Sequence, residues 1–272
     1  MKGKTIKVST IFMYAFLVVA AFLSVFPLLW TVISATNTSV DIIRGTMLPG
    51  THLLQNFARL LELTDVGPAF INSTRNAIAL TVLSVLICSL AGYGFEIYHS
   101  KAKDRLMSVL LLSMMVPFAA IMIPLFQLAA NLNLLNTTLG FMLPTLSTAF
   151  LIMLFRQNTR SFPVEMIEAA RIDGLNEVSI FFRIYMPTMK STYAAAITIT
   201  FMTSWNVFLW PRLIMREPGS ITMPVLISNL TAGYVTDFGV VMLAVLIATL
   251  PTIAIFFFLQ RYFAEGMMGS IK

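Results

Sequence analysis

Charged residues are scarce in this 272-residue sequence: 11% are Asp, Glu, Lys or Arg, whereas 58% are hydrophobic. A soluble domain is usually about a quarter charged, so the composition excludes an ordinary soluble globule. It indicates instead a chain that crosses a membrane several times. The net charge of +6 would suggest nucleic acid for a soluble protein. In a membrane protein the distribution of basic residues between loops matters more, and we expect no nucleic-acid partner.

Cysteine and histidine are also nearly absent. The single cysteine, Cys88, excludes an intramolecular disulfide and any metal or redox site built on cysteines. The two histidines, His52 and His99, fall in predicted loops, so the chain offers no catalytic set for an intramembrane enzyme. The sequence also lacks the GxxxxGK[ST] motif that binds nucleotide phosphates.

Long charge-free runs predict the membrane spans. Residues 8–40 form one such run, and residues 106–155 form another. A helix of roughly 50 residues would be about 75 Å long, more than twice the thickness of a bilayer core of about 30 Å. The second run must therefore contain two spans, and its polar stretch at residues 131–138 indicates the turn between them.

The whole sequence gives six predicted spans at about 11–35, 72–96, 106–129, 138–156, 191–211 and 238–260. The chain then divides into a first span within residues 1–35, an external segment at 36–70 and a core of five spans at 71–272. Pro117 and Pro124 are expected to kink the third span, because each removes a backbone donor and clashes with the preceding turn.

Basic residues are unevenly distributed between the predicted loops. Thirteen of the 18 Lys and Arg residues fall on the side of the N terminus, and five fall on the other side. By the positive-inside rule, both termini and the loop at residues 156–190 lie in the cytoplasm.

The loop at residues 156–190 carries nine charged residues. At about 2.5–3.5 kcal/mol for each charge, its burial in a bilayer would cost roughly 20–30 kcal/mol, so the loop must lie in water. Its pattern predicts two short helices. Pro163 fits the first turn of one helix, and Gly174 supplies the positive φ at which that helix ends. Asn176 is predicted to cap a second helix that runs toward Pro187.

The first of these helices is predicted to be amphipathic. Three apolar residues share one face: Met166, Ile167 and Ala170. Three charged residues lie roughly opposite: Glu165, Glu168 and Arg171. The small side chains of Ala169 and Ala170 would allow close contact with another protein. A membrane-surface helix or a solvated connector would show the same pattern.

Three groups of residues in this loop keep a characteristic spacing. They are Glu168-Ala169-Ala170, Asp173-Gly174 and Ile184-Tyr185-Met186-Pro187. This pattern resembles the EAA loop of the membrane subunits of binding-protein-dependent ABC importers. Several residue types at long fixed spacing make the resemblance far more specific than a single tripeptide would be.

Further blocks extend the resemblance from about residue 70 to the C terminus. They include residues 91–95 (AGYGF), 115–117 (MVP), 134–137 (LLNT), 204–211 (SWNVFLWP) and 260–263 (QRYF). These blocks are similar to those of carbohydrate-uptake permeases, in particular the second permease subunit of the maltose-transporter type. The first span and the external segment match only in general character.

The resemblance implies an all-α membrane protein with six transmembrane helices, in the MetI-like fold of type I ABC importer permeases. Such a subunit is not an enzyme and binds no cofactor, because ATP and Mg are held by partner ATPase subunits. Its implied partners are a second permease in a heterodimer, two ABC ATPases and an extracytoplasmic solute-binding protein that delivers a sugar. Its implied location is the cytoplasmic (inner) membrane of a prokaryote, as a multi-pass protein.

The resemblance also implies a coupling helix seated in a cleft of one ATPase. The implied coupling residues are Met166, Ile167, Glu168, Ala169, Ala170, Asp173, Gly174 and Pro187. For Glu168 two partners are open: a basic group on the ATPase, or Arg171 three residues along the same helix. Glu96, His99 and Asp104, at a predicted cytoplasmic end, are interpreted as solvated.

Three polar or aromatic residues near residue 206 are candidates for the translocation path. Asn206 either lines the path or forms a hydrogen bond to the partner permease. Trp205 and Trp210 either stack on a sugar ring or belong to the aromatic belt at the membrane interface.

An ion-coupled secondary transporter is the alternative from another class. It normally requires ionisable residues within its spans, and spans three to six carry none between their ends. Within the importer class, glycerol phosphate esters are an alternative cargo to sugars. The absence of basic residues from the predicted spans favours an uncharged cargo.

Overall fold

The computed structural model describes residues 8–233 and 236–269. Every regular element in these residues is a helix, which confirms the predicted all-α class. Both chain ends, predicted to be cytoplasmic, lie outside the described residues. The chain forms two compact units, one made of residues 1–66 and 227–249 and the other of residues 67–226 and 250–272.

The first unit is built on one long apolar helix. Its elements are α1 (Val8–Ala35), α2 (Ser39–Ile43), α3 (Leu53–Leu63) and, from the chain's last helix α15 (Phe238–Gly269), the part up to residue 249. The buried amide of Asn56 on α3 donates hydrogen bonds to the backbone carbonyls of Ala35 (2.9 Å) and Asn37 (3.0 Å). The predicted external segment therefore contains two helices, of which α3 is tied to the end of α1.

The second unit contains most of the remaining helices. They are α4 (Val66–Ile97), α5 (Lys101–Ser113), α6 (Phe118–Asn131), α7 (Thr138–Met142), α8 (Ala149–Thr159), α9 (Val164–Ile172), α10 (Glu177–Ile180), α11 (Met186–Thr188), α12 (Lys190–Asn206) and α13 (Leu209–Ile214). The helix α14 (Met223–Thr231) belongs to the second unit up to residue 226 and to the first unit from residue 227, and α15 belongs to the second unit from residue 250. A 3₁₀ turn follows α7 at Leu143–Thr145, and one π-helical turn at Phe181–Tyr185 separates α10 from α11.

Three helices in the described part of the chain are long and apolar enough to cross a membrane: Phe12–Ala35, Val66–Ile97 and Phe238–Arg261. They coincide with the first, second and sixth predicted spans. Two bent helix pairs, α5 with α6 and α7 with α8, bring the number to five if each pair is one span. The remaining predicted span, 191–211, falls on α12, whose 17 residues are fewer than the roughly 20 of a full crossing. The total of six spans stays a prediction.

The third predicted span differs most from expectation. Pro117 was expected to kink a continuous helix, but α5 ends at Ser113, and α6 begins at Phe118 after a bend of 94°. Pro124, by contrast, lies inside α6. Pro117 has an extended conformation (ψ of 130°) and directly precedes the first residue of α6, a position at which the missing backbone donor breaks no helical hydrogen bond.

The turn predicted at residues 131–138 is confirmed. Asn133 and Asn136 adopt left-handed backbone conformations, with φ of 54° and 58°. The side-chain oxygen of Asn136 accepts hydrogen bonds from the backbone N–H groups of Arg216 (2.7 Å) and Glu217 (3.1 Å). Asparagine tolerates this conformation better than most residues, and here it also holds the chain that follows α13.

Two glycines of α4 lie in different surroundings, and this difference yields a prediction. A methyl group added at Gly92 would lie 2.5 Å from Cβ of Phe155 and 2.8 Å from the backbone nitrogen of Arg156, both on α8. A methyl group at Gly94 would meet nothing within 4 Å. We expect Gly92→Ala to lower the free energy of unfolding by about 1–3 kcal/mol through overpacking. The matched variant Gly94→Ala is expected to be neutral or to stabilise by up to about 1 kcal/mol.

Thermal unfolding of both variants in the same detergent measures this difference. Equal melting temperatures for Gly92→Ala and the unmodified protein would show that α4 and α8 are not in the close contact described here.

Candidate functional site

The loop at residues 156–190 folds as two helical segments joined at a glycine, as predicted. The first, α9, begins at Val164, so Pro163 lies one position before the helix and not in its first turn. Gly174 has φ of +82°, and its N–H donates to the carbonyl of Arg171 (3.1 Å). Asn176 caps α10, because its side-chain oxygen accepts a hydrogen bond from the N–H of Ser179 (2.8 Å). Local sequence rules therefore account for the ends of both segments.

The inner face of α9 packs against its own chain. Ile167 and Ala170 are buried in a cluster with Tyr93 of α4, Phe181 and Tyr185. The rings of Phe181 and Tyr185 stack with centroids 5.3 Å apart, and both contact the ring of Tyr93 edge-on. These contacts fix α9 to the end of α4, so the amphipathic pattern of α9 is explained first by intramolecular packing.

The buried hydroxyl of Tyr185 shares a hydrogen bond of 2.6 Å with the hydroxyl of Thr159, at the end of α8. Burial raises the pKa of Tyr185 above its ordinary value. The tyrosine therefore stays neutral at physiological pH and connects α8 to the aromatic cluster through its hydroxyl.

The outer face of α9 is exposed and carries apolar as well as acidic side chains. Met166, which the sequence pattern grouped with Ile167 and Ala170, is exposed, and so is Ile172, at 86% of its surface. The other exposed candidates for coupling are Glu168, Ala169, Asp173, Gly174 and Pro187. The structure thus divides the candidates into two buried residues, which hold the helix in place, and six exposed residues that a partner can reach.

An ion pair closes the turn after α9. Nε of Arg171 donates to the carboxylate of Glu177 (2.7 Å), and Nη2 of Arg171 donates to the hydroxyl of Tyr98 (3.4 Å). The hydrogen bond from Arg171 holds the pKa of the Glu177 carboxyl below its ordinary value. Arg171 is therefore engaged with Glu177 and not with Glu168. Among the described residues, Glu168 forms no ion pair.

A buried arginine joins three helices next to this loop. The side chain of Arg156 on α8 is only 4% exposed, and its Nε donates to Glu96 of α4 (3.1 Å). Its Nη2 donates to Asp104 of α5. Arg160 also contacts Glu96 (3.4 Å). The interpretation of Glu96 and Asp104 as simply solvated was wrong, because a charge at the end of an apolar run gives no sign that a buried partner faces it.

The second unit also contains an open cavity of about 520 Å³, lined by residues of α4, α6, α7, α8, α12 and α13 and of the segments between them. Trp210 lines this cavity, and its indole Nε1 donates to the carbonyl of Gly140 (3.1 Å).

Trp205 is not part of the cavity lining. Its ring is buried against the rings of Phe201 and Phe70. Both tryptophan side chains are buried in the protein core, and their roles stay predictions. The amide of Asn206 is exposed and donates to the carbonyl of Met202 (2.8 Å) within α12.

Comparisons with known proteins give consistent results. Residues 84–269 match the family described as "binding-protein-dependent transport system inner membrane component". The lactose transport system permease protein LacG of Rhizobium radiobacter is 48% identical over 259 residues, which cover 95% of each chain. The arabinooligosaccharides transport system permease protein AraQ of Halalkalibacterium halodurans is 34% identical and covers 93% of this chain and 92% of its own.

Two further relatives extend the range of cargoes. The sn-glycerol-3-phosphate transport system permease protein UgpE of Yersinia enterocolitica is 31% identical, over 96% of this chain and 97% of its own. Among solved structures, a chain of a bacterial ABC transporter involved in the import of the acidic polysaccharide alginate superposes with a TM-score of 0.80. That match covers 97% of this chain and 99% of the other at 19% identity, and it shows a common fold.

Proposed function

This chain belongs to the family of binding-protein-dependent transport system inner membrane components, and we propose that it is a permease subunit of an ATP-driven importer for a sugar or oligosaccharide. The relatives named for lactose and arabinooligosaccharides support a carbohydrate cargo, and the first of them is 48% identical over nearly the whole chain. The subunit forms half of the translocation path, has six spans with both termini in the cytoplasm, and resides in the cytoplasmic membrane of a prokaryote.

Its partners in this proposal are a second permease, two ATPase subunits and an extracytoplasmic solute-binding protein. The loop at residues 156–190 serves as the coupling segment, with α9 held in a cleft of one ATPase. The observation that supports this role is the division of α9 into two faces. Ile167 and Ala170 anchor it to α4, while Met166, Glu168 and Ile172 remain exposed. A short helix anchored in this way transmits a displacement that a flexible connector would absorb.

Reconstitution tests the proposal directly. The chain is purified in mild detergent with the permease and ATPase subunits expressed beside it, and lactose uptake into liposomes is measured with ATP and the binding protein. We expect uptake to require ATP and to disappear when the P-loop lysine of the ATPase is replaced by alanine. Lactose uptake by this chain alone, driven by an ion gradient, would instead identify an ion-coupled secondary transporter.

The exposed carboxylate of Glu168 provides a prediction about the ATPase contact. A charge-assisted hydrogen bond contributes about 1.5–3 kcal/mol, so Glu168→Lys is expected to weaken ATPase binding by about tenfold or more. Glu62→Lys makes the same charge change at an exposed residue of α3 and is expected to leave binding unchanged. Titration of the detergent-solubilised permease pair with purified ATPase measures both affinities. Equal affinities for the two variants would remove Glu168 from the coupling contact.

A further inference from the structure

The helix α3 carries an apolar stripe that this chain does not cover. Four apolar side chains of α3 are between 41% and 82% exposed: Leu53, Leu54, Phe57 and Leu61. At about 100° per residue, they share an arc of roughly 100° on one side of the helix. A surface helix normally turns such a stripe toward its own core. The stripe of α3 therefore requires an apolar neighbour outside the chain.

The polar residues of α3 lie on another side. Gln55, Arg59 and Glu62 are exposed and share an arc of about 60°, roughly opposite the apolar stripe. Gln55 and Arg59 also line an open cavity of about 230 Å³, together with the carboxylate residue Asp237. Amide and charged groups are costly to remove from water. This side of the helix therefore faces water.

A third side of α3 faces the protein. Asn56 and Leu60 are buried, and they lie one helical turn apart in the narrow sector between the polar arc and the apolar stripe. The protein thus holds α3 along one side, with the apolar stripe on one flank and the polar arc on the other. This order is the one expected for a helix that lies in the plane of a membrane surface, beside a transmembrane bundle.

The helix is fastened to the ends of two membrane-length helices. The amide of Asn56 donates to the carbonyl of Ala35, the last residue of α1 (2.9 Å). Nη1 of Arg59 donates to the carboxylate of Asp237, directly before α15 (2.8 Å). A methyl group added at Gly239, in the first turn of α15, would lie 2.7 Å from the amide of Asn56. Because α1 and α15 are long and apolar enough to cross a membrane, α3 lies where the bilayer ends.

Continuity with the surface of α1 identifies lipid as the occupant of the stripe. None of the apolar window of the helix at Phe12–Ala35 is buried in this chain. The turns that lead to Ala35 expose Leu28, Leu29 and Val32. A spanning helix that its own protein leaves bare contacts acyl chains. The stripe of α3 extends this apolar surface sideways at the end of α1, to which Asn56 binds it.

We infer that α3 is an in-plane helix of the outer leaflet, with its apolar stripe among the phospholipid acyl chains just below the headgroups. Helices of this kind bury their apolar face about 5–10 Å into the boundary between headgroups and acyl chains. From this position, Asn56 and Arg59 hold the ends of α1 and α15 at one membrane depth. The choice of leaflet rests on the proposed orientation of the subunit, whereas the contact with lipid is independent of it.

Spin labels at two adjacent residues of α3 test the inference. Cys88→Ala removes the chain's only cysteine, and Leu54→Cys or Gln55→Cys then provides one labelling site. The labelled chain is assembled with cysteine-free permease and ATPase partners in vesicles of phosphatidylethanolamine and phosphatidylglycerol. Oxygen concentrates among acyl chains, and a nickel chelate stays in water. We expect the label at residue 54 to collide mainly with oxygen, at a depth of about 5–10 Å, and the label at residue 55 to collide mainly with nickel.

Two results at residue 54 would overturn the inference. Equal access of the nickel chelate to residues 54 and 55 would show that the stripe faces water. A label at residue 54 that is immobilised and reached by neither reagent would show that a protein covers the stripe, either the partner permease or the binding protein.

The variant Asn56→Ala separates contact with lipid from attachment to the chain. It removes both hydrogen bonds that tie α3 to the end of α1. We expect the label at residue 54 to keep its oxygen contact in this variant, because the bilayer itself retains the apolar stripe. A gain of nickel access at residue 54 would show that only protein contacts hold the helix in place, and it would contradict the inference.

Two further measurements keep the inference distinct from the proposed function. ATP-dependent lactose uptake that persists while residue 54 faces water would reject the in-plane helix and leave the proposed function standing. A membrane-impermeant maleimide is expected to label Gln55→Cys in right-side-out vesicles. Labelling in inverted vesicles alone would overturn the assignment to the outer leaflet.

Discussion

Replacement of Gly174 by valine is expected to abolish ATP-dependent uptake while the protein remains inserted in the membrane. Gly174 has φ of +82°, a conformation that β-branched residues essentially do not adopt. The strain of about 1–3 kcal/mol would be relieved by a change of the turn, because nothing else holds an added side chain there: no atom lies within 4 Å of a Cβ at this position. The exposed face of α9 would then change its orientation relative to α10.

The matched variant is Gly174→Asn. Asparagine visits the left-handed region at small cost, so we expect it to retain most of the uptake and of the ATPase binding. The measurement is initial uptake rate in liposomes at equal amounts of inserted protein, with ATPase binding determined in parallel. Full uptake by Gly174→Val would show that the conformation of this turn does not matter for coupling.

Removal of the Arg156 side chain is expected to cause the largest loss of stability. Breaking a buried ion pair costs roughly 3–5 kcal/mol of stability. For Arg156→Ala we expect the lower value, about 3 kcal/mol, because the side chain of its partner Asp104 is 44% exposed. The variant would separate Glu96 of α4 and Asp104 of α5 from their common partner on α8. Thermal unfolding of the purified protein in detergent measures the effect.

Two controls define the cause of this loss. Arg160 also contacts Glu96, but its side chain is 56% exposed, so Arg160→Ala is expected to cost less than about 1 kcal/mol. Arg156→Lys keeps the charge but not the fork of donors that reaches two carboxylates, and an intermediate loss is expected. A loss for Arg156→Ala no larger than that for Arg160→Ala would contradict the bridging role.

Local chemistry made several elements predictable from the sequence. Gly174 ends one helical segment and Asn176 caps the next because each position requires a residue type that few others can replace. The turn around Asn133 and Asn136 was predictable for a different reason, because a polar stretch interrupts a charge-free run that is too long for one span. The density of charge at residues 156–190 separated this loop from the apolar spans on energetic grounds alone.

Other features depend on contacts between distant parts of the chain. Pro117 and Pro124 are both prolines in the same apolar stretch of sequence, yet only Pro117 coincides with a break between helices. The face of α9 that carries Ile167 is read from periodicity, but the partner it packs against, Tyr93 on α4, lies more than 70 residues earlier. The cavity combines four separate stretches of sequence. The composition therefore predicted that its lining would be uncharged, but it did not predict that the cavity exists.

The π-helical turn at Phe181–Tyr185 has a consequence for sequences of slightly different length. Such a turn contains one residue more than an α-helical turn, so a chain one residue shorter here would form a continuous α-helix. Because the π turn accommodates one extra residue, the side chains that follow it would keep their directions in the shorter chain. A chain of unchanged length that formed a continuous α-helix here would instead rotate all later side chains by about 100° around the axis. The number of residues between Gly174 and Lys190 in a homologue therefore predicts, without a structure, whether its helix contains the π turn.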